Sequence, residues 1–89
     1  MPWTIDYLRS VQRSVRKLDP QTRLRIRHFL EQRLVGLDGP RQVGEALQGT
    51  KLGDFWRYRV GDYRIVCELQ DQKLVVLVIE IAHCRDVYR

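Results

Sequence analysis

The sequence predicts an α+β fold: two antiparallel helices packed on one face of a small, mostly antiparallel sheet. Three observations predict it. Apolar residues recur at helical spacing in the first third of the chain. Strand-like alternation begins at Phe55. A Gly61-Asp62 pair sits where a two-residue hairpin turn would join two strands.

Taken in order, the chain allows a short first strand at Trp3–Ile5. Leu8, Val11, Val15 and Leu18 then form one helical stripe, with Arg9, Arg13 and Arg16 on other faces. Asp19-Pro20 stops that helix and starts a second, Asp19 as N-cap and Pro20 at the first helical position. The second helix runs to about Leu34, burying Ile26, Phe29, Leu30 and Leu34, and Gly36 ends it. Residues 37–54 are punctuated by Gly39-Pro40, Gly44, Gly49 and Gly53 and read as loop, with room for a short helical turn over Val43–Leu47. A three-stranded meander completes the fold: Phe55–Val60, Tyr63–Gln70 after Gly61-Asp62, and Leu74–Ala82 after an Asp71-Gln72 turn. The last is nearly all apolar and therefore reads as a central strand. Trp56, Tyr58 and Phe29 are expected in the core.

Eighty-nine residues make a single domain, 1–89, with a thin stability margin that a partner binding only the folded form would widen. At 44% apolar and 30% charged residues, the chain is too apolar for a disordered one. The longest apolar run, Leu74 to Ile79, cannot cross a bilayer, and the first residues lack the pattern of a signal peptide, so the expected location is cytoplasmic, with no membrane partner. Cys67 and Cys84 form neither a disulfide framework nor a metal spacing, and His28 and His83 lie far apart; no metal and no cofactor are expected.

The net charge is +5, and it is uneven: residues 1–44 carry nine Lys/Arg against four Asp/Glu, residues 45–89 seven against seven. Such an excess favours polyanions, yet solvated helix faces produce it too, and Arg23, Arg25, Arg27 and Arg33 are read as such a face. The hairpin is more specific. A two-residue loop pairs Val60 with Tyr63, Arg59 with Arg64 and Arg57 with Val66. Arg57, Arg59 and Arg64 then share one face. Opposed like charges cost a few tenths to roughly 1 kcal/mol, so something should compensate. Glu68, on the same face of its strand, would make this a solvated edge softened by one carboxylate. A phosphate backbone would make it a binding site, since guanidinium forks match phosphate oxygens. Both readings stay open on the hairpin alone. The tail, His83-Cys84-Arg85-Asp86-Val87-Tyr88-Arg89, adds a histidine able to exchange protons near neutrality and a tyrosine able to stack on a base.

The run Leu47-Gln48-Gly49 followed by Trp56-Arg57-Tyr58-Arg59-Val60-Gly61-Asp62-Tyr63-Arg64-Ile65-Val66, together with Ile81-Ala82-His83-Cys84-Arg85-Asp86-Val87-Tyr88, resembles the core signature of the RelE/ParE toxins. The order of elements also agrees. The resemblance implies a RelE-like toxin of a type II toxin–antitoxin system that enters the ribosomal A site. There it would cut messenger RNA without a metal, the messenger's 2′-hydroxyl attacking the adjacent phosphate. It implies Arg64, Tyr88, Arg85 and His83 as catalytic residues and Arg57, Arg59 and Lys51 as RNA-binding ones. The partners implied are a cognate RelB-like antitoxin, the ribosome with its messenger, and operator DNA through the antitoxin only. Cys84 stands where many relatives carry arginine. Arg85 would replace that charge only if the backbone there is irregular, because neighbours on an extended segment face opposite ways. Weakened catalysis or another activity are the alternatives. These are a ParE-like toxin that poisons gyrase by binding, or a relative that only binds its antitoxin.

Overall fold

The computed structural model describes residues 3–37, 39–47 and 54–87. Five strands, β1 (Thr4–Tyr7), β2 (Glu45–Ala46), β3 (Phe55–Val60), β4 (Tyr63–Gln70) and β5 (Val75–His83), form one sheet in the order β1-β5-β4-β3-β2. β1 runs parallel to β5 and the other neighbours are antiparallel. Helices α1 (Arg9–Lys17) and α2 (Pro20–Phe29) cover one face, α1 against β5 and α2 against β3, and a short α3 (Cys84–Val87) follows β5. The α+β expectation therefore holds.

Local chemistry explains the helix boundaries. Asp19 caps α2: its carboxylate accepts from the Thr22 backbone N–H at 3.0 Å and from the Thr22 hydroxyl at 2.6 Å. Those bonds favour the ionised carboxylate and hold it below the usual aspartate range. Beyond Phe29 the coil widens into π-type turns over Leu30–Leu37, and Gly36 leaves helical geometry at φ −94°, ψ −106°. Leu30 and Leu34 are fully buried there. With Tyr58, Ile65, Cys67, Val76 and Val78 they make the centre of the core. Tyr58 is the largest of these buried side chains, and Phe29 packs edge-on against it with ring centroids 6.0 Å apart. Trp56 and Phe29 are half-buried at its margin.

The β3–β4 hairpin has the expected register throughout: Val60 opposite Tyr63, Arg59 opposite Arg64, Arg57 opposite Val66. Gly61 supplies the positive φ, +59°, that the first position of this two-residue turn demands.

Three expectations need correction. The segment expected as loop with a helical turn over Val43–Leu47 contains β2 instead. Gly44, at φ +80°, turns the chain against β3, and Leu47 N–H then donates to the Phe55 carbonyl at 2.9 Å. The second turn spans four residues, Asp71–Leu74, rather than Asp71-Gln72, because Leu74 adopts φ +55° and only Val75 reaches the register opposite Gln70. Glu68 does not compensate the arginines; its carboxylate accepts from the Gln70 amide at 2.8 Å.

One clamp holds the loop before β2. The Arg41 guanidinium donates to both carboxylate oxygens of Asp71, at 2.9 and 2.8 Å, and also to Asp54. Asp54 in turn accepts from the Trp56 indole N–H at 2.9 Å. Nearby, the Tyr58 hydroxyl donates to the Pro40 carbonyl at 2.5 Å. The loop is thus tied to the base of β3 and to the β4–β5 turn.

Two predictions follow from this packing. A Cβ at position 44 would lie 2.5 Å from Tyr58 Cδ1 and 2.6 Å from the Arg57 carbonyl oxygen. With the positive φ added, Gly44→Ala should cost about 3 kcal/mol in a urea melt. Arg41 hydrogen bonding holds the Asp71 carboxyl below its ordinary value. A carboxylate depressed in the folded state stabilises above its unfolded pKa and stops doing so as pH falls through the folded one. Arg41→Ala should therefore be less stable than the wild type near pH 7, and the gap should close as melts are taken down through about pH 4 towards pH 2.

Candidate nucleic-acid interface

β2 pairs with Trp56 and Arg57 of β3, and among the described residues no strand pairs with that edge from Tyr58 to Val60. A cleft of about 420 Å³ forms there, within the range of ligand sites. Among the described residues its lining carries four arginines, Arg33, Arg57, Arg59 and Arg64, against one carboxylate, Glu45. Phe29, Tyr58, Val43 and Gly44 supply the apolar wall, and Cys84 closes the end.

Each guanidinium is held differently. Arg57 pairs with Glu45 across the β2–β3 ladder at 3.3 Å. Arg59, opposite Arg64, bends away and donates from Nε to the Gly61 carbonyl at 3.1 Å. Arg64 is the most enclosed, its side chain 24% exposed, and its Nε lies 3.7 Å from Glu80 Oε1. That separation is an ion pair but too long for a hydrogen bond, and the buried Nε has no hydrogen-bond partner. An unsatisfied buried donor costs about 1–3 kcal/mol. The carboxylates that balance this face are therefore Glu45 and Glu80. An array of fixed, partly enclosed guanidinium groups can bind a phosphodiester and stabilise negative charge building up on it.

The structure brings Arg57, Arg59 and Arg64 together and separates His83 from them. His83 pairs with Tyr63 on the opposite, helix-covered face, the two rings meeting edge-on at 5.1 Å. Its Nδ1 accepts from the Arg85 backbone N–H at 3.0 Å, so a neutral imidazole there carries its proton on Nε2. Cys84 N–H donates to the Asp62 carbonyl at 2.7 Å, which fastens the start of α3 to the hairpin turn. The chain turns helical at this point, so Cys84 lines the cleft while Arg85 is exposed and outside the lining. Lys51 and Tyr88 lie outside the described residues.

Sequence reasoning missed Arg33, Glu45 and Glu80. Arg33 was detectable: it stands one helical turn beyond Phe29, which packs on Tyr58 of β3. Glu45 and Glu80 carry no such signal, because one depends on the unforeseen β2 and the other on an irregularity in β5. Among the described residues no group of three or more His, Cys, Asp or Glu could hold a metal ion. Cys67 is enclosed in the core, and burial pushes its thiol up to about 12.

Comparison with known proteins places this geometry. Residues 5–88 match the family described as the ParE toxin of the type II toxin–antitoxin system parDE. Toxin RelG of Mycobacterium tuberculosis is 28% identical over 89 residues, covering 100% of this chain and 99% of that one. The toxin–antitoxin complex RelBE2 of the same organism has a chain of the same fold, with a TM-score of 0.79, 24% identity and coverage of 93% and 92% of the two chains. A mutant of Escherichia coli RelE, solved with a peptide of the antitoxin RelB, gives a TM-score of 0.77 at 26% identity, covering 99% of this chain and 92% of that one. The chain belongs to the ParE toxin family of type II toxin–antitoxin systems, within the RelE/ParE superfamily.

Proposed function

We propose that this toxin is a ribosome-dependent endoribonuclease that cuts messenger RNA in the A site. The observation that carries the reading is the cleft itself: among the described residues four arginines line it against one carboxylate, and the most enclosed of them, Arg64, has a buried N–H without a hydrogen-bond partner. In the reaction the 2′-hydroxyl loses its proton, its oxygen attacks the adjacent phosphorus, and the bond to the 5′-oxygen breaks. That oxygen leaves as a 5′-hydroxyl after taking up a proton, and a 2′,3′-cyclic phosphate remains. Arg57, Arg59 and Lys51 hold the backbone in line, and Arg64 stabilises the extra charge on the phosphorane-like centre. Tyr88, four residues beyond cleft-lining Cys84, is assigned base stacking and proton transfer. His83 orients α3 through its bond to Arg85 N–H, and Arg85 contributes positive charge from outside the cleft. A RelB-like antitoxin covers the basic face until it is removed, and binds operator DNA on behalf of the pair.

A second reading is favoured by the family description, which is that of ParE. A ParE-like toxin acting on gyrase by binding needs no arginine at position 84. Loss of gyrase supercoiling activity on adding the toxin, with messenger left intact, would select it.

Purified toxin is expected to cleave a programmed messenger only when ribosomes with an empty A site are present, leaving 5′-hydroxyl ends. Arg64→Ala should lower the rate by about 100-fold or more while circular dichroism shows a folded protein. An unchanged rate in the folded variant would remove Arg64 from the chemistry.

A further inference from the structure

β5 does not keep one alternation along its length. Val76 and Val78 are fully buried in the core, and strict alternation would send Glu80 in after them. Instead Cys67 pairs with Val78 and Val66 with Glu80, so Ile79 is an extra residue, a bulge on β5. The extra residue reverses the parity. Ile81 takes the core side, opposite Ile65, and Glu80 emerges with Ala82 on the face of Arg64. Ala82 is the direct cross-strand neighbour of Arg64 and presents only a methyl group, which leaves room for the guanidinium beside it. On its other side Arg64 faces Arg59, a like charge. Repulsion from Arg59 and attraction to Glu80 therefore pull the guanidinium the same way, towards β5. Arg64 lines the cleft and Glu80 does not.

We propose that Glu80, delivered by the Ile79 bulge, is a positioning residue for Arg64. Its carboxylate holds the Nε side of the guanidinium, and the two Nη groups are left as a fork directed at a phosphate in the cleft. Closing the present 3.7 Å separation to hydrogen-bond length when phosphate binds would satisfy the buried N–H. This inference rests on the phosphate-cleft reading given above. A carboxylate that merely competed with phosphate for Arg64 would act in the opposite sense, so removal of Glu80 separates the two roles by direction.

The test uses the full-length toxin with Glu80→Ala and Glu80→Gln. Glu80 is about half exposed, and neither change is expected to prevent folding. The rate of messenger cleavage at saturating ribosomes should fall about tenfold in Glu80→Ala, with KM little changed, and Glu80→Gln should lie between it and the wild type. Separately, the ¹⁵N-resolved Arg64 Nε–Hε signal is followed while inorganic phosphate is added. It should move at roughly fivefold lower phosphate concentration in the wild type than in Glu80→Ala. Faster cleavage or tighter phosphate binding in Glu80→Ala would overturn the proposal in favour of competition, and so would a rate and an Arg64 signal that ignore the substitution. If the Arg64 signal behaves as expected but the wild type cleaves no messenger, the ribonuclease reading fails and the role of Glu80 stands. Cleavage by the wild type with both Glu80 variants unaffected would leave that reading intact and remove Glu80.

Discussion

Slipping the β3–β4 hairpin by one residue would drive Arg57, Arg59 and Arg64 into the core and expose Tyr58, Val60 and Ile65. The register of that hairpin is the constraint from which the rest of the molecule follows. It is pinned at one end by the Gly61-Asp62 turn and at the other by the burial of Tyr58 beneath Phe29 and the Pro40 carbonyl. With the register set, one face of β3 and β4 is committed to the helices. The other is committed to three like charges whose mutual repulsion the fold then answers piecemeal. Glu45 answers from β2, the Gly61 carbonyl from the turn, and Glu80 from β5.

Those answers are unequal, and the inequality sets the three arginines apart electrostatically. Arg57, its side chain 35% exposed, pairs with a Glu45 that is 74% exposed, so their pair is a weak, screened one. Arg59 is fastened to backbone at the hairpin. Arg64, enclosed and incompletely satisfied, has the most to gain from an anion. Burial raises the phenol of Tyr58 above its usual range, so this tyrosine belongs to the wall and not to the proton chemistry. The clamp of Arg41 on Asp54 and Asp71 sits at the far end of the loop that brings Val43, Gly44 and Glu45 to the cleft. Surface ion pairs are usually worth little. This one matters for where it ties the chain.

Local rules were sufficient wherever a feature is set by its immediate neighbours in sequence. Asp19-Pro20 could be read as a cap and helix start because capping is a short-range hydrogen bond. The pairing of Arg59 with Arg64 could be counted because a two-residue loop leaves no freedom in register. Features that depend on distant backbone were not legible. β2 is two residues long and exists because β3 is there to receive it. Leu74 adopts a left-handed conformation that its side chain does not announce. Glu80 reaches the arginine face only through the Ile79 bulge, so simple alternation assigns it to the wrong side, and attention goes to Glu68 instead. The separation of His83 from the arginines arises from the same change of parity.

The parallel pairing of β1 with β5 has a consequence for how this protein is born. Thr4 sits beside Val75, and its N–H donates to the Leu74 carbonyl at 2.8 Å, so an early strand of the chain depends on a late one. During synthesis β1 has no sheet partner until β5 has been made, and α1 has no strand to lie on, since its support is also β5. Contacts of such long sequence separation form late and slowly. The cleft is incomplete on a half-made chain, because Cys84 of its lining and the Glu80 carboxylate beside Arg64 are made after β4. A chain in which β5 has not yet been made therefore lacks the partner of β1, the support of α1 and one neighbour of β4.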